Sequence, residues 1–289
     1  MTATSAVRRK KRIEPYLVFY YVCLILAAVV ILVPILWMLS ASFDRTDTFA
    51  LPFPPRFLPN NPSLFNYQLV TINLRIRTFI TNTIIVAVLS VGLQLLIVPL
   101  AGFAFSKGRF PLRMVILLVI MSSMMVPFES RLLPVYMLVR SWGLNNTYLG
   151  IVLPNVMTSA FFIFLLKKAF DDLPNDLMES AHIDGASKLR IYVQIYLPLV
   201  GPMLATMVVL DVLNVWNDLL WPMIITNRID MATIQVGLAM FTSGPADAVT
   251  RHAGMASAAS MLSILPLAAV FIFSQRYIVQ SIAVTGIKQ

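Results

Sequence analysis

Long apolar runs limit what this chain can fold into more than any other feature of it. Tyr16 to Leu39 and Phe79 to Leu100 contain no Asp, Glu, Lys or Arg. A helix needs about 20 apolar residues to cross a bilayer, so each of these runs is long enough. Six such segments are expected, at 16–39, 79–100, 114–130, 148–166, 199–221 and 255–277. The fold class that follows is an all-α membrane protein with six transmembrane helices. Composition agrees, because 58% of the residues are hydrophobic and only 12% are charged, against about 25% charged in a soluble domain.

Residues 1–15 form a basic N-terminus, and 16–289 form one transmembrane domain. Arg8, Arg9, Lys10, Lys11 and Arg12 precede the first span and hold that end in the cytoplasm. Ser40-Ala41-Ser42 resembles a signal-peptidase site. The apolar part before it is longer than the ~7–15 residues of a signal peptide, so an uncleaved anchor is expected. With both ends inside, all seven lysines fall on the inner side. The net charge of +9 therefore reads as anchoring charge, and no nucleic-acid partner is expected. Cys23 is the single cysteine and lies in a span, which excludes a disulfide framework. Two histidines and one cysteine leave no metal site, and no P-loop is present for ATP.

Residues 43–77 are expected to form an external, proline-rich loop, with a short interfacial helix over Ser63 to Asn73. Leu132 to Trp142 should form a helix at the outer surface, and Glu129 and Arg131 should pair locally at a membrane edge. Residues 223–254 read as a second external loop, with a turn at Gly244-Pro245 and its tip over Ser243 to Thr250.

The polar stretch 171–198 stands apart from this apolar background. Pro174 suits a first helical turn, and acidic residues crowd the same start. Leu173, Leu177 and Ala181 lie four apart and share a face, with Met178 beside them. Gly185 permits a sharp turn, a second helical piece follows from about Lys188 to Tyr196, and Leu197-Pro198 should end it. The expectation is a helical elbow on the inner face whose small Ser180 and Ala181 seat it deep in a partner's groove.

Within the spans, Asp211, Asn214 and Asp218 recur at i, i+3 and i+7 and so share one helical face, flanked by Trp216 and Asn217 and closed by Trp221-Pro222. Asn82 and Gln94 are the polar residues of the second span. Intramembrane polar groups line a solute pathway or tie helices together, and both readings stand for these residues. Amides and carboxylates beside aromatic rings suit a sugar. An anionic solute would want Arg or Lys in the spans.

The stretch Glu179-Ser180-Ala181, Asp184-Gly185-Ala186 and Ile195-x-Leu197-Pro198 resembles the EAA loop of ABC-importer permeases, with Ser180 in place of the usual alanine. Trp216 to Pro222 with Thr226-Asn227, Val236-Gly237-Leu238 and the tail Gln275 to Ser281 resemble the carbohydrate permeases of the maltose/glycerol-phosphate class. The resemblance implies a type I importer permease in the inner membrane of a prokaryote. It implies an ATPase dimer, carrying ATP and Mg, docked on Leu177, Glu179, Ser180, Ala181, Asp184, Gly185, Leu197 and Pro198. It also implies a second, non-identical permease and an external solute-binding protein meeting Ser243, Gly244 and Pro245. The chain itself would hold no cofactor and catalyse nothing. The implied cargo is a sugar, oligosaccharide or polyol. A phosphate ester, or an ion-coupled transporter built on Asp211 and Asp218, are the alternatives.

Overall fold

The computed structural model describes residues 15–45, 54, 56–72, 75–157, 159–243 and 253–286. Among them the regular structure is helical, apart from one bridge that pairs Asp44 with Pro62. The first span becomes α1 (Pro15–Phe43). A short α2 (Phe65–Ile72) crosses beneath its end, where Asn66 Nδ2 donates to the carbonyls of Ser42 and Asp44 at 3.1 and 2.9 Å. These bonds satisfy carbonyls that a helix end leaves free.

Next comes α3 (Ile76–Lys107). Its 32 residues extend about 48 Å at 1.5 Å per residue, well beyond the ~30 Å apolar core of a bilayer. It therefore reaches past the expected 79–100 at both ends. Three buried clusters string along it. Ile76 and Phe79 belong to one, Val86 and Ala87 to the next, and Val98 to the third.

The third crossing is bent. Helix α4 (Arg113–Ser122) tightens into a 3₁₀ turn at Ser123–Met125, then turns by 107° into α5 (Phe128–Ser141). Pro127 causes the turn: it disfavours helical Val126, which is extended at φ −89°, ψ 116°. The helix thus breaks at Val126-Pro127, inside the expected 114–130, and Glu129 becomes a first-turn acid of α5. Helices α6 (Tyr148–Met157) and α7 (Ala160–Asp171) form a second bent pair, at 49°.

The polar stretch gives α8 (Asp176–Ile183) and α9 (Lys188–Ile191), which runs on through a π-helical turn at Tyr192–Tyr196 into α10 (Leu197–Leu199). A 76° bend leads to α11 (Gly201–Asn217). Leu197-Pro198 does not end the second piece as expected. The turn widens so that Leu197 N–H reaches Tyr192 O, and the break falls at Val200, ahead of Gly201-Pro202.

After α11 the chain folds back through α12 (Leu220–Ile225) and α13 (Ile234–Ser243), then closes with α14 (Ala253–Gly286). The expected external loop 223–254 is therefore largely structured. Ile234, Val236 and Phe241 of α13 are buried with Phe79, Trp216, Met255 and Ala258. Helix α14 also continues past the expected end at 277.

Among the described residues three helices, α1, α3 and α14, are long and apolar enough to cross a bilayer alone, and the three bent pairs bring the total to as many as six. Helix α1 packs on α2 and α14 and leaves residues such as Phe19 and Val30 more than two-thirds exposed, a surface suited to lipid.

Gly237 sits directly against the buried ring of Phe79, where an added Cβ would overlap it. Gly237→Ala should therefore cost about 1–3 kcal/mol through overpacking. The check is a lower thermal midpoint in detergent, with recovery when Phe79→Leu is added.

Candidate functional site

Two polar features stand out from the apolar bundle. The first is the elbow. Helix α8 ends in a Schellman motif, in which Ala186 N–H donates to Ala181 O at 3.0 Å and Gly185 N–H to His182 O at 3.0 Å. Gly185 takes φ +77°, a conformation that costs other residues ~1–2 kcal/mol. Ser187 then caps α9 by accepting from Arg190 N at 3.3 Å.

The elbow is locked to the bundle from within. Tyr196 is fully buried beside Phe103 and Phe170, and its hydroxyl donates to Pro174 O at 3.1 Å. Lys107, at the end of α3, donates to Leu173 O and Asn175 Oδ1, both at 2.8 Å. Ser106 donates to Asp171 Oδ1 at 2.7 Å, and Lys167 pairs with Asp171 at 2.6 Å.

This changes the face the elbow presents. Ala181 is buried in the same cluster as Phe170, Ile191 and Tyr196, with Leu173 and Met178 packed on it. Its small size brings α8 close to the chain's own core, and the face it shares with Leu173 packs there. Leu197 is likewise half-buried there. Glu179, Ser180, Asp184, Gly185 and Pro198 are exposed, and Leu177 borders on it. The most prominent apolar side chains are Ile183, 86% exposed, and Leu189, 66% exposed. Neither was singled out from the sequence, because the shared face was drawn through the 173–177–181 row instead. Tyr192 and Tyr196 at i, i+4 were the available signal for the locking face.

The second feature is a cavity of about 530 Å³ among α3, α5, α6, α7 and α11. Gln94, Arg131, Asn155, Asp211, Asn214, Asn217 and Asp218 line it, with rings from Phe128, Phe161 and Phe162. Gln94 Nε2 donates to Asp211 Oδ1 at 2.8 Å, and both residues are at most 2% exposed. Asp211 Oδ2, Gln94 Oε1 and Arg131 Nε are buried without a partner among the described residues. An unmade hydrogen bond at a buried group costs about 1–3 kcal/mol, so these atoms favour a hydrogen-bonding occupant of the cavity, water included.

The structure thus gathers four of the expected pathway residues of α11 and its end, together with Gln94. Asp218 gets there differently from its helical spacing. It is extended at φ −72°, ψ 116°, beyond the end of α11, and accepts from Trp221 N at 3.3 Å. The helix breaks there and not at Trp221-Pro222.

Two residues are not brought in. Trp216 is buried in the cluster around Phe79, and its ring is not a cavity wall. Asn82 ties α3 to the returning chain: it donates to Asp230 O and Ala232 O at 2.8 and 2.9 Å and accepts from Tyr148 at 2.8 Å. Arg131 makes no ion pair with Glu129 and faces the cavity instead. Ser243 ends α13, while Gly244 and Pro245 lie outside the described residues, as does the basic run 8–12.

Apolar crossings, an elbow anchored at one end of the bundle and a polar cavity within it are the parts of a multi-pass membrane transport protein. Residues 97–284 match the family described as binding-protein-dependent transport system inner membrane component, and the chain belongs to that family. It is 32% identical to the arabinooligosaccharides transport system permease protein AraQ of Halalkalibacterium halodurans, over 88% of this chain and 90% of that one. It is 31% identical to the sn-glycerol-3-phosphate transport system permease protein UgpE of Brucella abortus, over 92% and 95%. The lactose transport system permease protein LacG of Rhizobium radiobacter is 30% identical, over 90% and 92%. A crystal structure of a bacterial ABC transporter involved in the import of the acidic polysaccharide alginate superposes with a TM-score of 0.80 at 26% identity, covering 95% of this chain and 99% of that one. The chain is an ABC-importer permease of the type I fold, a transport subunit and not an enzyme. It works in a membrane with other transporter subunits.

Gly185→Ala should weaken the elbow by about 1–2 kcal/mol. Hydrogen exchange is the measurement: amides of 185 and 186 should exchange faster, while those of α3 stay protected.

Proposed function

We propose that this chain forms half of the pore of an importer for a polyhydroxylated solute, a sugar, oligosaccharide or polyol. The solute passes by alternating access, driven by an ATPase dimer docked on the elbow. The observation that carries the solute class is the pair of orphan acceptors, Asp211 Oδ2 and Gln94 Oε1, at a cavity that also has aromatic walls. Hydroxyl groups donate to such acceptors, and the apolar faces of a sugar stack on rings. Two of the relatives carry names of that class, arabinooligosaccharides and lactose, while the name of the third, glycerol 3-phosphate, fits the phosphate-ester alternative.

The exposed Leu177, Glu179, Ser180, Ile183, Asp184, Gly185, Leu189 and Pro198 form the docking surface for the ATPase in this reading. ATP and Mg belong to that partner. A second, non-identical permease completes the pore. An external binding protein delivers solute to the far end, near Ser243, Gly244 and Pro245. The elbow end faces the cytoplasm, in line with Lys107, Lys167, Lys168 and Lys188, which all lie at that end. Rigid-body motion of the elbow alternates the pore between its two openings.

Arg131 supports a second reading of the cargo. Its buried Nε lacks an acceptor, and guanidinium groups bind carboxylates and phosphates well. A saccharide with an acidic group, or a sugar phosphate, would satisfy it together with Asp211 and Gln94. Membership of the family leaves the ion-coupled alternative without support.

Uptake by the reconstituted complex separates these readings. Asp211→Ala should lower uptake about tenfold with assembly intact, and equal loss of assembly would reduce the cavity to helix glue. Arg131→Gln should abolish uptake only if the cargo is anionic. Gly185→Pro, which cannot adopt a positive φ, should leave ATP hydrolysis running without uptake. Normal coupled uptake in that variant would sink the docking assignment.

A further inference from the structure

A second cavity, of about 490 Å³, opens at the elbow end of the bundle. Its wall joins two parts of the chain. The α3–α4 turn supplies Lys107, Arg109 and Arg113, and the elbow supplies Glu179, His182 and Lys188. Four of these are cations and one is a carboxylate. Lys107 is committed to Leu173 O and Asn175 Oδ1, and Arg113 Nη1 to Ser106 O and Gly108 O. Those acceptors are neutral; the Asp171 carboxylate, shared with Ser106 and Lys167, offsets part of the Lys107 charge, and Arg113 has no ion pair among the described residues. Arg109 and Lys188 have no ion-pair or hydrogen-bond partner among the described residues, and Glu179 forms no ion pair there. Four cations against the single carboxylate of Glu179 leave the wall net positive, which favours an anion between them.

The surroundings say which anion. Between and just beyond the two arginines, Leu112, Met114 and Val115 are 69%, 64% and 53% exposed. These apolar side chains begin the α4 crossing, so the cavity mouth lies where acyl chains meet headgroups. Basic pockets at the ends of membrane helices suit phosphate headgroups, and arginine forks match phosphate oxygens. We propose that this cavity takes the phosphate of an anionic phospholipid, held by Arg109 and Arg113 from the bundle and Lys188 from the elbow. The lipid then braces the elbow against the α3–α4 turn, so the lipid composition of that leaflet sets how stiffly the elbow follows the bundle. This needs only that the chain sits in a bilayer, and it stands or falls apart from the identity of the cargo.

The test uses the full chain with the subunits that accompany it, extracted from membranes holding phosphatidylglycerol and phosphatidylcholine in equal amounts. Lipid retained after detergent exchange is counted by mass spectrometry. Phosphatidylglycerol should be retained over phosphatidylcholine. Arg109→Gln and Lys188→Gln should each lower its retention about fivefold. Arg190→Gln, whose side chain bonds Gln194 outside the cavity, should retain it as the parent does. Equal retention of the two lipids in the parent, or the same loss in Arg190→Gln, would overturn the site. Displacement of the lipid by millimolar inorganic phosphate would overturn a lipid source in favour of a soluble anion.

Discussion

The close approach of α3 to α7 sets the position of everything at the elbow end. A Cβ on Gly102 would lie 3.0 Å from Leu166 Cβ and 3.1 Å from Lys167 N, so the two helices meet with nothing between them. Leu166 is fully buried at that contact, in the cluster that also holds Phe170 and Tyr196. Only because the backbones are this near can Ser106 and Lys107 reach across to Asp171, Leu173 and Asn175. A larger residue at Gly102 would move α7 outward and take the root of the elbow with it. Small residues at helix contacts serve this purpose in membranes, where no hydrophobic force presses helices together.

From that root the elbow is stiff along its whole length. The Schellman closure fixes the angle at Gly185, Ser187 restarts the helix, and Tyr196 pins the second piece to Pro174. The π-helical turn at Tyr192–Tyr196 belongs to the same device. It carries the helix into Pro198, whose missing N–H would otherwise leave a gap in the hydrogen-bond ladder. A hinge built this way passes on a displacement, where a mobile loop would absorb it.

Much of this was legible in the sequence, and the failures share one cause. Apolar runs point to the crossings, and Pro174 with Gly185 points to the elbow, because those signals are local. Ala181 was assigned to a partner because a row of apolar positions does not say whether it faces its own bundle or another protein. Asp218 was assigned to a helix that stops one residue earlier; proline at 222 was the visible breaker, whereas it sits inside the next short helix. Trp216 and Arg131 both leave their expected places, the ring turning into the core and the charge, expected to pair with Glu129, into the cavity. Helix α13 falls in a stretch that reads as loop, because its burial depends on α3, α11 and α14, and most of those contacts are far away in sequence. Local chemistry was readable; which face meets which neighbour was not.

The two polar features are joined by the helices that frame them. Helix α3 holds the elbow at Lys107 and the cavity at Gln94, about 20 Å apart along one rigid rod. Helix α11 leaves the elbow at the Val200 bend and reaches the cavity at Asp211 about 16 Å further on. The bond from Gln94 to Asp211 therefore cross-links the two helices that leave the elbow, and it does so at the cavity wall. If the elbow shifts α11 relative to α3, that bond lies directly in the path of the motion. It must stretch or re-pair, and the orphan acceptors beside it are then offered to solute or withdrawn. A buried pair with one spare acceptor on each side ties the two helices and still offers hydrogen-bonding capacity to the cavity. It is well suited to a wall whose polarity changes with the angle between two helices.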